Sequence, residues 1–210
     1  MIGILGGTFD PVHFGHLRPA LEVQEALALE ELRLIPCHIP PHRGQPHASA
    51  AQRVAMLEAA VQAQPAFRID TRELQRHGPS YTFDTLVSLR EDLGDTGICL
   101  LMGMDAFGDL TTWHRWDELI ELCHLVVMTR PGADVPYDGE LADFIRRHRV
   151  PDAAPLRGLP AGRLLFQPVT ALAISASRLR TLLAEGLSPA FLTPEAVIEI
   201  INQEGLYRGG

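Results

Sequence analysis

Residues 6 to 16 read Gly6-Gly7-Thr8-Phe9-Asp10-Pro11-Val12-His13-Phe14-Gly15-His16, between the apolar run Met1–Leu5 and an amphipathic helix pattern. Two glycines, an Asp-Pro turn and two histidines therefore sit where a strand hands over to a helix. In open α/β sheets that handover is where ligands bind. The glycines let the backbone approach a ligand closely. The helix start offers unpaired N–H groups and a positive partial charge, which suits a phosphate. His13 and His16, three apart, can turn the same way and donate to one anion. A helix beginning near Gly15 or His16 puts Pro19 in its first turn, where proline is tolerated best. The spacing is neither a Rossmann GxGxxG nor a P-loop. Two other readings stand beside the phosphate one. Asp10, His13 and His16 could ligate a metal, zinc being the ion such donors suit, or the turn could be structural only.

Strand patterns lie at Met1–Leu5, Leu32–Cys37, Phe67–Asp70, Ile98–Gly103, Leu125–Thr129 and Leu164–Gln167. Several are continuous apolar runs, as buried parallel strands are. Helix patterns lie between them, at Leu17–Leu29, Ala50–Ala63, Thr82–Leu93, Asp117–Leu122 and Gly139–His148. The alternation predicts an α/β fold, a doubly wound and mostly parallel sheet flanked by helices. Two further helices are expected at Ser175–Glu185 and Pro194–Glu204, the last with Thr193 as N-cap and Gly205 just past its end. The 210 residues suit one domain, with a peripheral excursion near 131–162 and a helical part near 175–210.

All 18 basic residues are arginine. Without lysine there is no Walker A element, no Schiff-base lysine and no lysine to carry a covalent adenylyl group. A net charge of −8 argues against a nucleic-acid surface, so phosphates must be held by local donors. No apolar run reaches membrane-spanning length and no signal-peptide pattern is present, so a cytoplasmic protein without a membrane partner is expected. Cys37, Cys99 and Cys123 lack CxxC spacing and read as buried, reduced thiols.

Five further places carry chemistry. The loop His38-Ile39-Pro40-Pro41-His42-Arg43 brings a histidine and an arginine to the ligand edge, or is a solvated loop. At Pro79-Ser80-Tyr81-Thr82, Ser80 or Thr82 is an ordinary N-cap, or the helix start holds a carboxylate. Trp113, in Thr112-Trp113-His114-Arg115-Trp116, either packs into the core or offers its face to a cationic ring. Asp105, at the end of the fourth strand, either accepts from ribose hydroxyls or caps a helical turn at Ala106. Ser175, at the next-to-last helix start, can be N-cap and phosphate donor at once.

GGTFDPVHFGH resembles the nucleotide-binding signature of the HxGH nucleotidyltransferases. Ile174-Ser175-Ala176-Ser177-Arg178-Leu179-Arg180 resembles their second element, ISSTxIR. Ser177 keeps the hydroxyl of the threonine, while Ala176 loses one and takes no role. The resemblance runs nearly end to end and is best to the bacterial nicotinate-nucleotide adenylyltransferases. It implies a Rossmann-like fold, with ATP and nicotinate mononucleotide giving deamido-NAD and pyrophosphate in NAD biosynthesis. It further implies His13 and His16 as catalytic donors to the α-phosphate. Gly6, Gly7, Thr8, Phe9, His42, Arg43, Asp105, Ser175, Ser177 and Arg180 would bind ATP and its phosphates. The amides of Thr82 and His114 would hold the nicotinate carboxylate, and Trp113 would stack on the ring. Mg²⁺ would accompany ATP, with few protein ligands. A homo-oligomer is compatible with all of this. HFGH also resembles the HIGH element of class I aminoacyl-tRNA synthetases, but their KMSKS loop needs lysine. The other readings are another acceptor (nicotinamide mononucleotide, phosphopantetheine or a small alcohol phosphate) and a nucleotide sensor without turnover.

Overall fold

A computed structural model describes residues 1–39, 44–76, 78–129, 139–170 and 172–208. Six strands form one sheet: β1 (Ile2–Gly7), β2 (Glu31–Pro36), β3 (Phe67–Ile69), β4 (Ile98–Gly103), β5 (His124–Thr129) and β6 (Leu164–Pro168). The order is β3-β2-β1-β4-β5-β6 and every pairing is parallel. The chain winds outward from β1 in one direction, then returns to lay β4 on its other side. The ends of β1 and β4 thus form the crevice at which such sheets bind ligands.

The eight α-helices of the described residues are α1 (Phe14–Leu27), α2 (Ala50–Val61), α3 (Thr82–Leu93), α4 (Met104–Gly108), α5 (Leu119–Leu122), α6 (Gly139–His148), α7 (Ala176–Ala184) and α8 (Glu195–Gln203). Alternate strand residues feed two cores, one on each face. Leu5, Leu34 and Leu101 meet Val23, Leu57 and Val197 of α1, α2 and α8. Ile4, Leu100 and Val127 meet Leu86, Ile120 and Phe144 of α3, α5 and α6. Burial on both faces is why the strand runs are apolar throughout rather than alternating.

Several helix starts differ from the sequence reading. α1 begins at Phe14 with His13 as N-cap, so Pro19 lies inside the helix and not in its first turn. Its missing N–H leaves the Gly15 carbonyl without the usual i+4 donor. The N-cap of α3 is Tyr81, not Ser80 or Thr82, because the Ser80 hydroxyl accepts instead from the His38 amide at 2.9 Å. The N-cap of α8 is Pro194, because the Thr193 hydroxyl donates to the Val12 carbonyl at 2.7 Å. The N-cap of α4 is Gly103, so Asp105 lies within the helix and caps nothing. All three cysteines are buried and unpaired. No described helix is long and apolar enough to cross a membrane.

Candidate active site

The ends of β1, β2 and β4 open into a cleft of about 390 Å³, lined among others by Gly6, Gly7, Gly15, His16, Thr82 and Trp113. Of the two glycines that end β1, Gly7 is required on steric grounds, while a Cβ on Gly6 would meet nothing within 4 Å. A Cβ on Gly7 would meet the Phe9 ring at 3.0 Å. Phe9 itself holds a left-handed backbone (φ 49°), turning its ring back over the strand end.

The two histidines differ. His16 lines the cleft and is half-buried. Its Nδ1 accepts from the His13 amide at 3.3 Å. That bond assigns the ring proton of neutral His16 to Nε2, leaving Nε2–H as the donor. His13 is not partly exposed, as a ligand-facing pair would have it, but only 4% accessible. Its ring stacks on His16 with centroids 3.7 Å apart, and its Nδ1 is buried with no hydrogen-bond partner among the described residues. Burial disfavours the charged imidazolium and pushes the His13 pKa down to about 4, so His13 is neutral at pH 7. The stacking brings the two rings together, at an interplanar angle of 24°.

Gly15 joins the two sequence elements. A Cβ there would stand 2.9 Å from His13 Nδ1 and 3.0 Å from the Ile174 carbonyl oxygen. Only glycine lets α1 approach the segment before α7 this closely.

Asp10 sits at the centre of a buried network. Its Oδ1 accepts from Tyr207 Oη at 2.6 Å and the Ala48 amide at 3.0 Å. Its Oδ2 accepts from the His47 amide at 2.8 Å and lies 3.3 Å from His47 Nδ1. Burial alone would raise its pKa. The Tyr207 hydroxyl, the two amides and the Arg180 charge more than offset this and hold the carboxyl below its ordinary value. Three donors, the Tyr207 hydroxyl and the amides of His47 and Ala48, thus engage the carboxylate. Among the described residues, no three His, Cys, Asp or Glu side chains come close enough to hold a metal ion.

Arg180 donates from Nη1 to the Asp10 main-chain oxygen at 2.6 Å and from Nη2 to Ser177 Oγ at 3.3 Å. Ser175 is the N-cap of α7, accepting from the Arg178 amide at 3.2 Å. Ser175 and Ser177 are both exposed. The second element thus lies directly against the first.

Across the cleft, Thr82 is the first residue of α3, so its amide has no intrahelical acceptor. Trp113 lines the cleft half-buried, its other side packed on the second core, so the packing and ligand-facing readings are both met. The His114 ring lies 4.6 Å from Tyr81, which brings residue 114 to the start of α3. Asp105 is exposed beside the cleft residues Gly103 and Ala106. Thr8 is bound in two ways: its carbonyl by Arg53 at 2.8 Å, its hydroxyl by the Cys37 thiol at 3.7 Å. His42 and Arg43 lie outside the described residues.

Sequence reasoning passed over two residues that shape this site. Arg53 is 1% accessible and donates to the Thr8 and Cys37 carbonyls, both at 2.8 Å, tying together the ends of β1 and β2. It stands on the same face of α2 as Met56 and Leu57; a charged residue on an apolar stripe is a signal that was legible. Glu73 lines the cleft, buried, accepting from Thr85 Oγ1 at 2.7 Å, and burial raises its pKa. Nothing local marked it.

The comparisons with known proteins agree with this geometry. Residues 4–182 match the cytidylyltransferase-like family model. A protein of Aeromonas hydrophila named "probable nicotinate-nucleotide adenylyltransferase" is 51% identical over 207 residues, 99% of this chain and 97% of that protein. One of Methylococcus capsulatus with the same name is 50% identical, covering 99% of each chain. Among solved structures, the Plasmodium falciparum nicotinic acid mononucleotide adenylyltransferase complexed with NaAD shares the fold at a TM-score of 0.73, with 16% identity over 98% of this chain and 96% of that one. A tightly held HxGH turn, its contact with the second element and half-identical relatives over nearly the full length lead to one assignment: the chain belongs to the cytidylyltransferase-like family and, within it, to the nicotinate-nucleotide adenylyltransferases.

Proposed function

We propose that the chain transfers the adenylyl group of ATP to nicotinate mononucleotide, giving deamido-NAD and pyrophosphate. The observation that carries this reading is His16: its Nδ1 accepts from the His13 amide, which puts the proton of a neutral ring on Nε2, and the residue lines a cleft edged by a helix start and two glycines. In the reaction, a 5′-phosphate oxygen of the mononucleotide bonds to the α-phosphorus of ATP. The bond from that phosphorus to the bridging oxygen breaks, and pyrophosphate leaves. The nucleophile is already ionised, so no general base is required. Positioning and charge stabilisation carry the catalysis.

His16 donates to the α-phosphate as charge develops there. Neutral His13, stacked behind it, fixes its orientation and reaches the phosphate only if ATP binding displaces the packing around it. Gly6, Gly7, Thr8 and Phe9 form the floor under the nucleotide. Ser175, Ser177 and Arg180 receive the pyrophosphate end, joined by His42 and Arg43. Asp105 accepts from a ribose hydroxyl. Mg²⁺, entering with ATP, would partly neutralise the phosphates; Asp10, engaged by Tyr207, His47 and Ala48, would not be its main holder. The unpaired thiols suit a reducing compartment, and we place the activity in the cytoplasm.

The acceptor follows from the opposite wall. The amides of Thr82 and His114 take the nicotinate carboxylate, and Trp113 lies under the pyridinium ring. A hydrogen bond to a charged group contributes roughly 1.5–3 kcal/mol. Two of them, less what an amide can still make, leave about 3–4 kcal/mol of discrimination. That corresponds to roughly 10²–10³ in kcat/KM for nicotinate over nicotinamide mononucleotide. The test is a coupled pyrophosphate-release assay with ATP and a panel of nicotinate mononucleotide, nicotinamide mononucleotide and phosphopantetheine. Turnover with the first and a preference of that size are expected. Because the donors are main-chain, Thr82→Ala should keep the preference. Equal use of acid and amide by the wild type would overturn the acid-specific reading, and no pyrophosphate with any acceptor would leave a sensor.

A further inference from the structure

Two side chains from the last third of the chain converge on Asp10, inside the phosphate-binding turn. Tyr207 follows α8 and adopts a left-handed backbone (φ 60°), which costs a non-glycine residue energy and is held only by its surroundings. The bend turns its ring onto the first core and its hydroxyl to Asp10 Oδ1, 2.6 Å away. Arg180 reaches the same residue from α7. It bonds the main-chain oxygen at 2.6 Å, while its Nη1 stays 3.9 Å from Oδ2. That second distance exceeds a hydrogen bond. The carboxylate's closer partners are instead the Tyr207 hydroxyl and the amides of His47 and Ala48.

We propose that Tyr207 is a positioning residue for nucleotide binding: by occupying Asp10, it keeps the Arg180 guanidinium available to the phosphates of ATP. Loss of the hydroxyl frees one lone pair of a buried carboxylate. Asp10 then recruits the nearest cation, Arg180, and draws it inward, away from Ser177 and the exposed start of α7. An arginine paired with an inner carboxylate binds phosphate more weakly, since its donors and charge are already engaged. The other charged and titratable groups at this point are His47, whose Nδ1 faces Oδ2, and buried Arg53, which engages the Thr8 and Cys37 carbonyls. Neither can replace a hydroxyl on Oδ1. The inference rests on the adenylyl-transfer reading for Arg180's role, but not on the identity of the acceptor.

Tyr207→Phe tests it, since only the hydroxyl is removed and the ring still packs. The expected result is a rise of about 5- to 10-fold in KM for ATP, less than the loss of a whole hydrogen bond to a charged group, because the Arg180 contact is weakened and not removed. KM for the mononucleotide should stay within about twofold. A purely structural role would move both together, and that result would overturn the proposal. The decisive arm repeats the substitution in an Arg180→Met background. There Tyr207→Phe should have no further effect on ATP affinity, because the residue through which it acts is gone. An undiminished effect in that background would refute the coupling. Calorimetric titration of each folded variant with Mg·ATP alone gives the same comparison without turnover. If the wild type binds ATP but releases no pyrophosphate, the function reading fails while this inference is still decided by the titration. Should Tyr207→Phe fold poorly, Tyr207→Trp, which also lacks the hydroxyl but keeps a large ring, gives the same comparison.

Discussion

Alanine at Gly15 separates stability from catalysis. The backbone there is helical, so alanine suits it and gains up to about 1 kcal/mol of helix propensity. Space is the obstacle. The new methyl would lie 2.9 Å from His13 Nδ1, 3.0 Å from His13 Cε1 and 3.0 Å from the Ile174 carbonyl oxygen. Carbon contacts are comfortable near roughly 3.5–4.0 Å, so something must yield by about half an ångström. The Ile174 oxygen is backbone, and the His13 ring is backed by His16 at 3.7 Å. Yielding therefore moves His16 or parts the two sequence elements. Overpacking of this kind costs about 1–3 kcal/mol. Set against the propensity gain, net destabilisation is about 0–2 kcal/mol, or a fall in Tm of at most about 8 °C for a chain of this size. Displacing a catalytic group by an ångström costs about 10² in rate, so a loss of about 10- to 100-fold in kcat is expected from folded protein. Pyrophosphate release and thermal denaturation on the same preparation decide it. Wild-type kcat in folded Gly15→Ala, or a loss matched by the unfolded fraction, would refute the reasoning.

His16→Ala should lower kcat by about 10²–10³, the effect of losing a preorganised donor to developing charge, with Tm within a few degrees of wild type; wild-type turnover would remove His16 from the mechanism. Trp113→Ala should raise KM for the mononucleotide by the equivalent of about 1–2 kcal/mol and leave KM for ATP nearly unchanged; a rise for ATP alone would assign the ring to adenine. His13 makes stability pH-dependent. Its folded pKa of about 4 lies below the unfolded value of 6.5, so the unfolded state takes the proton first. The contribution is whole above pH 6.5, shrinks as pH falls and is lost by about pH 4. At pH 5 the loss should be about 2 kcal/mol. Urea unfolding at pH 7 and pH 5 measures it, and His13→Asn should lack this part of the slope; an equal slope in the variant would locate the effect elsewhere.

Much of this was legible in the chain because local chemistry and tertiary demand coincide. Ile98–Gly103, Thr82–Leu93 and Gly139–His148 are found with the bounds their patterns imply. The HxGH turn could be placed because glycines, a proline and an apolar lead-in leave few conformations. What escaped was set by distant partners. α1 begins before Gly15 because His16 supplies an acceptor to the His13 amide, a role histidine seldom announces. Ser80 and Thr193 look like caps, but His38 and Val12 claim their hydroxyls first. Tyr207 meets Asp10 across 197 positions, a pairing that no window of sequence contains. The burial of His13 also escapes, because spacing shows direction and not depth.

The two margins of the sheet bear on how this chain can meet another. An open parallel sheet exposes hydrogen-bonding groups along its outermost strands, and a neighbour can add there. Both margins are blunted. β3 has only three residues, and the guanidinium of Arg68 already takes the Phe67 carbonyl, at 2.9 Å. On the far side, the Val150 amide donates to the Leu164 carbonyl at 2.9 Å, and β6 ends on Pro168, which has no N–H to offer. Strand addition thus finds no length on which to template. Concentrating the native protein should therefore add no protection to the amides of β3 or β6 in hydrogen exchange. Growth of β-structure on heating would have to begin from chains that have already opened.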